Sequence, residues 1–268
     1  MIGVIGSFKL LKRDRMSLAS IAGMQIEKVS QKAPYVNMLI YGESGAGKTR
    51  LSGSSDDVPE MRKVLFIDVE GGTLTLRDCY PNVDTVRVKT WTEMQSLYNE
   101  LYANTHGYVT IVIDSLTELQ KMSMETIMRK LIEEHEERDA DVPGIREWNI
   151  NIEHTRKFVR AFRDLPLNTI FTSLVQTDKN VRTGATKRKP SLSGKVKDEV
   201  AGFLDIVVYL YTKEIDQENR RMLLCGQTED TVAKDRSNSL PLTIENPTMK
   251  EIWKLLHNKE TSLNGLEG

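Results

Sequence analysis

Gly42-Glu43-Ser44-Gly45-Ala46-Gly47-Lys48-Thr49 follows directly on Tyr35-Val36-Asn37-Met38-Leu39-Ile40-Tyr41, so a glycine-rich turn closes an apolar, strand-like run. The pattern G-x-x-x-x-G-K-[ST] needs its glycines because the backbone must curl around a phosphate with N–H groups inward, at φ values a Cβ penalises. Lys48 can then reach the β/γ-phosphates, and the Thr49 hydroxyl can ligate Mg²⁺. A helix-compatible stretch, Thr49-Arg50-Leu51-Ser52-Gly53, comes next. The residues expected to surround a nucleoside triphosphate are therefore Gly42, Glu43, Ser44, Gly45, Ala46, Gly47, Lys48, Thr49 and Arg50.

Outward from this motif, short β-rich runs alternate with helical patterns, which is the mark of βαβ units around a mostly parallel sheet with helices on both faces. Strands are predicted at 35 to 41, 64 to 69, 84 to 88, 109 to 114, 168 to 175, 206 to 212 and 221 to 226. Several are apolar throughout, as strands buried on both faces should be. A helix from Leu116 is expected to end in the charged run 133 to 141, before Pro143-Gly144. From 145 to 162, Ile145, Trp148, Ile152, Val159 and Phe162 fall at helical spacing with Thr155 in the gap, which predicts a buried stripe. The fold class is α/β, with a core over 35 to 246, an N-terminal appendage over 1 to 34 and a C-terminal helix and tail over 247 to 268. Met16 is a second candidate start of translation.

At 268 residues the chain suits one large domain. Its formal net charge of −1 excludes a global positive field, so any nucleic-acid contact must come from a local patch. Cys79 and Cys225 are too few for a disulfide framework, and the four histidines show no ligand spacing. With no signal peptide or membrane span in the reading, the expected compartment is the cytoplasm.

A triphosphatase also needs an acidic position on a neighbouring strand to hold the Mg²⁺ shell, and Thr110-Ile111-Val112-Ile113-Asp114 supplies it with Asp114. The next residue is Ser115, so the water-orienting base must come from elsewhere. Glu70 closes the run Val64 to Val69 before Gly71-Gly72, which puts it at the same carboxyl edge; Glu118 is the next candidate.

These motifs, with Ala233-Lys234-Asp235-Arg236, resemble the RecA-type ATPases over about 35 to 240. They are most like the compact RecA-like recombination and single-strand annealing ATPases of bacteriophages, the AAA-type nucleotide-binding proteins of phages. The resemblance implies ATP hydrolysis with Glu70 activating water. It also implies that Lys234 and Arg236 reach the γ-phosphate of a neighbouring subunit in a ring or filament, and that Gln176 lies near a γ-phosphate sensor. It places a single-strand DNA-binding loop after the strand 168 to 175. There the chain carries Lys179, Arg182, Lys187, Arg188, Lys189, Lys195 and Lys197 against Asp178 alone. Gly184, Pro190 and Gly194 predict a mobile loop, and with no aromatic residue between 176 and 202 its contacts should be with phosphates.

The implied partners are ATP, Mg²⁺, single-stranded DNA, further copies of the chain and a single-strand-binding protein, with no membrane. Tyr80 and Arg77 are candidates for stacking on the base. Two rival readings are a helicase-loading or regulatory ATPase with a protein client, and a P-loop kinase with 179 to 197 as a basic lid. A GTPase is disfavoured because Asn258-Lys259-Glu260-Thr261 lacks the aspartate that reads guanine.

Overall fold

The computed structural model describes residues 20, 21, 24, 25, 35 to 135, 137 to 139, 141 to 179 and 183 to 257. The chain divides into Met1–Pro34 and Tyr35–Gly268. In the first unit, β1 (Ser20–Ile21) and β2 (Met24–Gln25) pair antiparallel.

The second unit begins with β3 (Asn37–Gly42) and α1 (Lys48–Gly53), then β4 (Val64–Asp68), β5 (Asp84–Arg87), α2 (Trp91–Ala103), β6 (Thr110–Asp114) and α3 (Leu116–Glu134). It continues through α4 (Ile145–Arg163), β7 (Asn168–Lys179), β8 (Thr186–Pro190), α5 (Val196–Phe203), β9 (Ile206–Ile215) and β10 (Glu218–Leu224). β11 (Lys234–Asp235), β12 (Thr243–Glu245) and α6 (Met249–His257) follow. Among the described residues no helix is long and apolar enough to cross a membrane.

The sheet order is β12-β10-β9-β3-β7-β6-β4-β5. From β9 to β5 every neighbouring pair is parallel, while β10, β11, β12 and β8 add antiparallel edges. Side chains alternate across β3. Met38 and Ile40 join a layer with Leu51 of α1 and Ile252 of α6. Leu39 and Tyr41 join the opposite layer with Met94 of α2, Leu116 of α3, Phe158 of α4 and Val200 of α5. Helices therefore cover both faces, which is why β3, β4 and β6 are buried from end to end. Register aligns Gly42 with Leu174 and Leu210, and Asp68 with Asp114, so the carboxyl ends of these strands form one edge.

Two expectations fail here. Phe162 and Val159 are buried as the stripe of α4 predicts, and Thr155 fills its place, yet Ile145 is 84% exposed and Trp148 40%. The inward line of the first turns runs instead through Glu147, Asn151 and Thr155. Glu147 is drawn in because its carboxylate accepts the Gly144 N–H at 2.8 Å and faces Arg138 at 3.6 Å, so a capping demand sets the phase of the helix there.

The described parts of the basic segment are paired strand where its glycines and proline predicted a loop. β7 runs on to Lys179 and pairs with β8 as a hairpin, Gln176 opposite Lys189 and Asp178 opposite Lys187. Arg188 N–H donates to Asp230 O and Val232 N–H to Arg188 O, which stitches β8 to the chain before β11. Gly194, at φ +67°, is a tight fit: a Cβ there would lie 2.3 Å from Ile152 Cδ1.

Candidate functional site

Close approach fixes the phosphate loop. A Cβ on Gly42 would lie 2.1 Å from the Leu210 carbonyl of β9, so only glycine lets β3 end there. Gly45 and Gly47 adopt φ +79° and +101°, and Gly47 caps α1 with no side-chain hydrogen bond to the first amides of the helix. Those N–H groups are thus left to the loop interior, an arrangement suited to phosphate oxygens. The Lys48 ammonium donates to Gly42 O at 3.0 Å and Glu43 O at 2.8 Å. Burial lowers its pKa, against the pull of Asp114, Glu70 and Glu43.

The sequence-predicted metal pair meets directly. Thr49 Oγ1 donates to Asp114 Oδ2 at 2.7 Å, and Thr172 Oγ1 of β7 donates to Asp114 Oδ1. Asp114 is 3% exposed, and hydrogen bonds to such a charged acceptor are about twice as strong as neutral ones. The pair offers a hydroxyl and a carboxylate, oxygen donors that suit Mg²⁺, and Thr49 and Asp114 would hold it there. Thr172 was missed by the sequence reading. Its only signal is register, because Phe171 lies opposite Ile113, which puts Thr172 beside Asp114.

Glu70 stands at the same edge. The N–H groups of Val69 and Glu70 both donate to Asp114 O, and the Ser115 hydroxyl donates to Glu70 Oε1. Below it, Asp68 Oδ1 accepts from Gly71 N at 2.6 Å and pairs with Arg87 at 2.9 Å, shaping the turn that presents the exposed Glu70. Glu118, the other candidate base, is paired with Lys121 at 2.5 Å.

A second unforeseen residue is Arg221 of β10. Its Nε lies 2.7 Å from the place a Gly47 Cβ would take, so the guanidinium covers the loop where glycine leaves room. Its backbone is held by Asn246, through Asn246 N–H to Arg221 O at 2.7 Å, and its side chain has no ion-pair partner among the described residues. The antiparallel register with β9 sets it there, and nothing in the sequence motif announces it.

The remaining candidates scatter. Tyr80 packs on Gly53 of α1 and approaches Arg50, while Arg77 is exposed. Lys234 Nζ donates to Ala201 O at 2.7 Å and Leu204 O at 3.0 Å, and Arg236 pairs with Asp205 at 2.6 Å, so both cap the end of α5. The amide of Gln176, two residues beyond the Leu174 that pairs with Gly42, donates to Asp178 and lines a cavity beside α3 and α4.

Of the basic set, Arg188 is paired with Asp230, Lys189 with Asp178 and Asp198, and Lys197 with Asp178. Lys179, Lys187 and Lys195 have no ion pair among the described residues, and Arg182 lies outside them. A cavity of about 680 Å³ is lined by Glu43 to Ala46 on one side and by Arg188, Asp230 and Tyr209 on another, so the hairpin and the phosphate loop share a wall.

Residues 35–237 match the model of a family described as AAA domain. Among solved structures, a KaiC-like protein from the hyperthermophilic archaeon Pyrococcus horikoshii is similar over 70% of this chain and 77% of its own, at 16% identity and a TM-score of 0.41. No curated protein matches.

Proposed function

The chain belongs to the AAA domain family, and we propose that it hydrolyses ATP with Mg²⁺ and couples this to a grip on single-stranded DNA in recombination or strand annealing. One observation carries the hydrolytic part. Hydroxyls of Thr49 and Thr172 hold the two oxygens of one buried carboxylate, and Glu70 is fastened next to it by Ser115. In this reading Lys48 turns from the loop carbonyls to the β/γ-phosphates, and Glu70 orients water for in-line attack, a contribution of roughly 10²- to 10⁴-fold. Mg²⁺ bound through Thr49 and Asp114 would neutralise charge on the β- and γ-oxygens.

Register supports a role for Lys234 and Arg236 on a neighbouring copy. Lys234 lies level with Val207 and Leu39, three residues before the Gly42 level, so it sits roughly 10 Å down the sheet from its own loop. For DNA, the supporting features are Lys179, Lys187 and Lys195, which have no ion pair among the described residues, and the wall shared by hairpin and phosphate loop. A regulatory ATPase with a protein client is the second reading, favoured by the exposed Val142, Ile145 and Trp148.

Phosphate release, measured with and without an oligonucleotide across protein concentrations, tests the proposal. The expected result is a rate per protomer that rises with concentration and again with DNA. A rate flat in both would remove the DNA coupling and the shared site.

A further inference from the structure

A cavity of about 740 Å³ lies between α3, the first turns of α4 and the segment 191 to 194 that follows the hairpin. Three features set it apart from a packing gap. Asn151 lines it at 1% exposure, and its Oδ1 has no hydrogen-bond partner. A buried amide oxygen left unpaired is costly and rare, so it points to a donor that arrives from outside. Trp148 stands one turn before Asn151 and leaves 40% of its surface exposed at the same cavity, with Met124 and Met128 extending the apolar wall. The opposite rim is held rigid, because the Gln120 amide oxygen accepts Ser193 N–H at 2.6 Å.

Charge narrows the occupant. Lys121 is tied to Glu118 and Lys197 to Asp178, which leaves Glu125 and Asp141 of the lining without an ion pair among the described residues, so the cavity suits a neutral group with N–H donors, not a phosphate. Lys179 and Lys187, which have no ion pair among the described residues, lie on the adjoining hairpin. A flat, neutral group carrying N–H donors, attached to an anionic backbone, fits this division: the group enters the cavity and the backbone follows the hairpin.

We propose that this cavity receives one unstacked base of a single strand, lying against Trp148 and donating a hydrogen bond to Asn151. The proposal rests on the DNA reading above and supplies the aromatic contact that the segment 176 to 202 lacks. Volume agrees, since pockets for small planar ligands span roughly 300–1,000 Å³. Base-on-aromatic contact is sequence-tolerant and worth about five- to a hundredfold in affinity per base.

The test is fluorescence anisotropy of the full chain with a labelled oligonucleotide, an abasic counterpart of equal length and a slowly hydrolysed ATP analogue. Trp148→Ala should weaken binding of the intact strand about tenfold, Trp148→Phe should restore most of it, and neither should alter the slope against salt, because no phosphate contact is lost. The abasic strand should bind the parent protein about as weakly as the intact strand binds Trp148→Ala. Equal affinity of the parent for both strands, with Trp148→Ala unchanged, overturns the pocket and leaves the DNA reading standing. No binding of either strand overturns both. Quenching of Trp148 by free nucleoside monophosphates as tight as by the strand would make this a small-molecule site. A protein client lost on Trp148→Ala, with strand affinity unchanged, would make it a protein interface. Circular dichroism melting confirms that each variant is folded.

Discussion

The phosphate-loop edge and the basic hairpin were both marked by residue type in one chain segment, yet the fold treats them in opposite ways. At the loop, each side chain is held by a hydrogen bond to a neighbour: Lys48 donates to the carbonyls of Gly42 and Glu43, Thr49 donates to the Asp114 carboxylate, and Glu70 accepts from the Ser115 hydroxyl. On the hairpin, Arg188 and Lys189 are taken up by carboxylates, one of them Asp230, far along the chain, and Lys197 of α5 is tied to Asp178 in the same way. Backbone geometry makes a site; cation count alone does not make a surface. Exposed ion pairs stabilise by only about 0–1 kcal/mol, so their main effect here is on which cations remain available to a ligand.

The largest expected effect falls on the loop. Lys48→Ala should reduce kcat roughly 10²- to 10³-fold, since it removes the cation proposed to turn to the transferred phosphoryl group. Steady-state phosphate release measures it, and a loss under tenfold would detach Lys48 from the chemistry.

Thr172→Val comes next. The substitution keeps shape but takes the donor from a carboxylate that is nearly inaccessible to solvent, and the expected loss is about 1.5–3 kcal/mol in urea unfolding. An unchanged midpoint would mean that Thr49 alone suffices to satisfy Asp114. Arg221→Ala should raise KM for ATP about tenfold, equivalent to ~1.4 kcal/mol, with a smaller change in kcat. If KM stays put, the guanidinium over Gly47 does not touch nucleotide.

The fold's main lines were legible because they rest on local rules. Apolar runs of strand length, bounded by glycines and charged turns, gave the parallel sheet, and β3, β4, β6 and β9 lie where those runs predict. The placement of the loop, Asp114 and Glu70 at one edge of the sheet was legible because their positions follow from strand ends. Thr172 and Arg221 were not, since each reaches the site through pairing between strands distant in sequence. Hairpin β7–β8 was hidden for the same reason: its glycine and proline read as a loop, while the pairing of Val175 with Pro190 that closes it is invisible to composition. On α4, apolar periodicity put Ile145 and Trp148 inside, and a buried Glu147 overruled it.

The smallest effect separates the two kinds of cation within the hairpin. If Lys187 contacts a phosphate, Lys187→Ala should lower the slope of log affinity against log salt by about 0.7 for a single strand. Lys189→Ala should lower it far less, because Asp178 and Asp198 already neutralise that ammonium. Equal slopes for the two variants would erase the distinction drawn between tied and free cations, and an unchanged slope in both would take the hairpin off the DNA.

Glu70→Gln is the most direct test of the central claim, that this carboxylate, fastened by Ser115 beside Asp114, orients the attacking water. Calorimetry should find ATP binding within about twofold of the parent, while phosphate release in the same preparation falls at least ~100-fold. Release at near the parent rate, with ATP bound normally, would contradict the account and move the water-activating role to another residue.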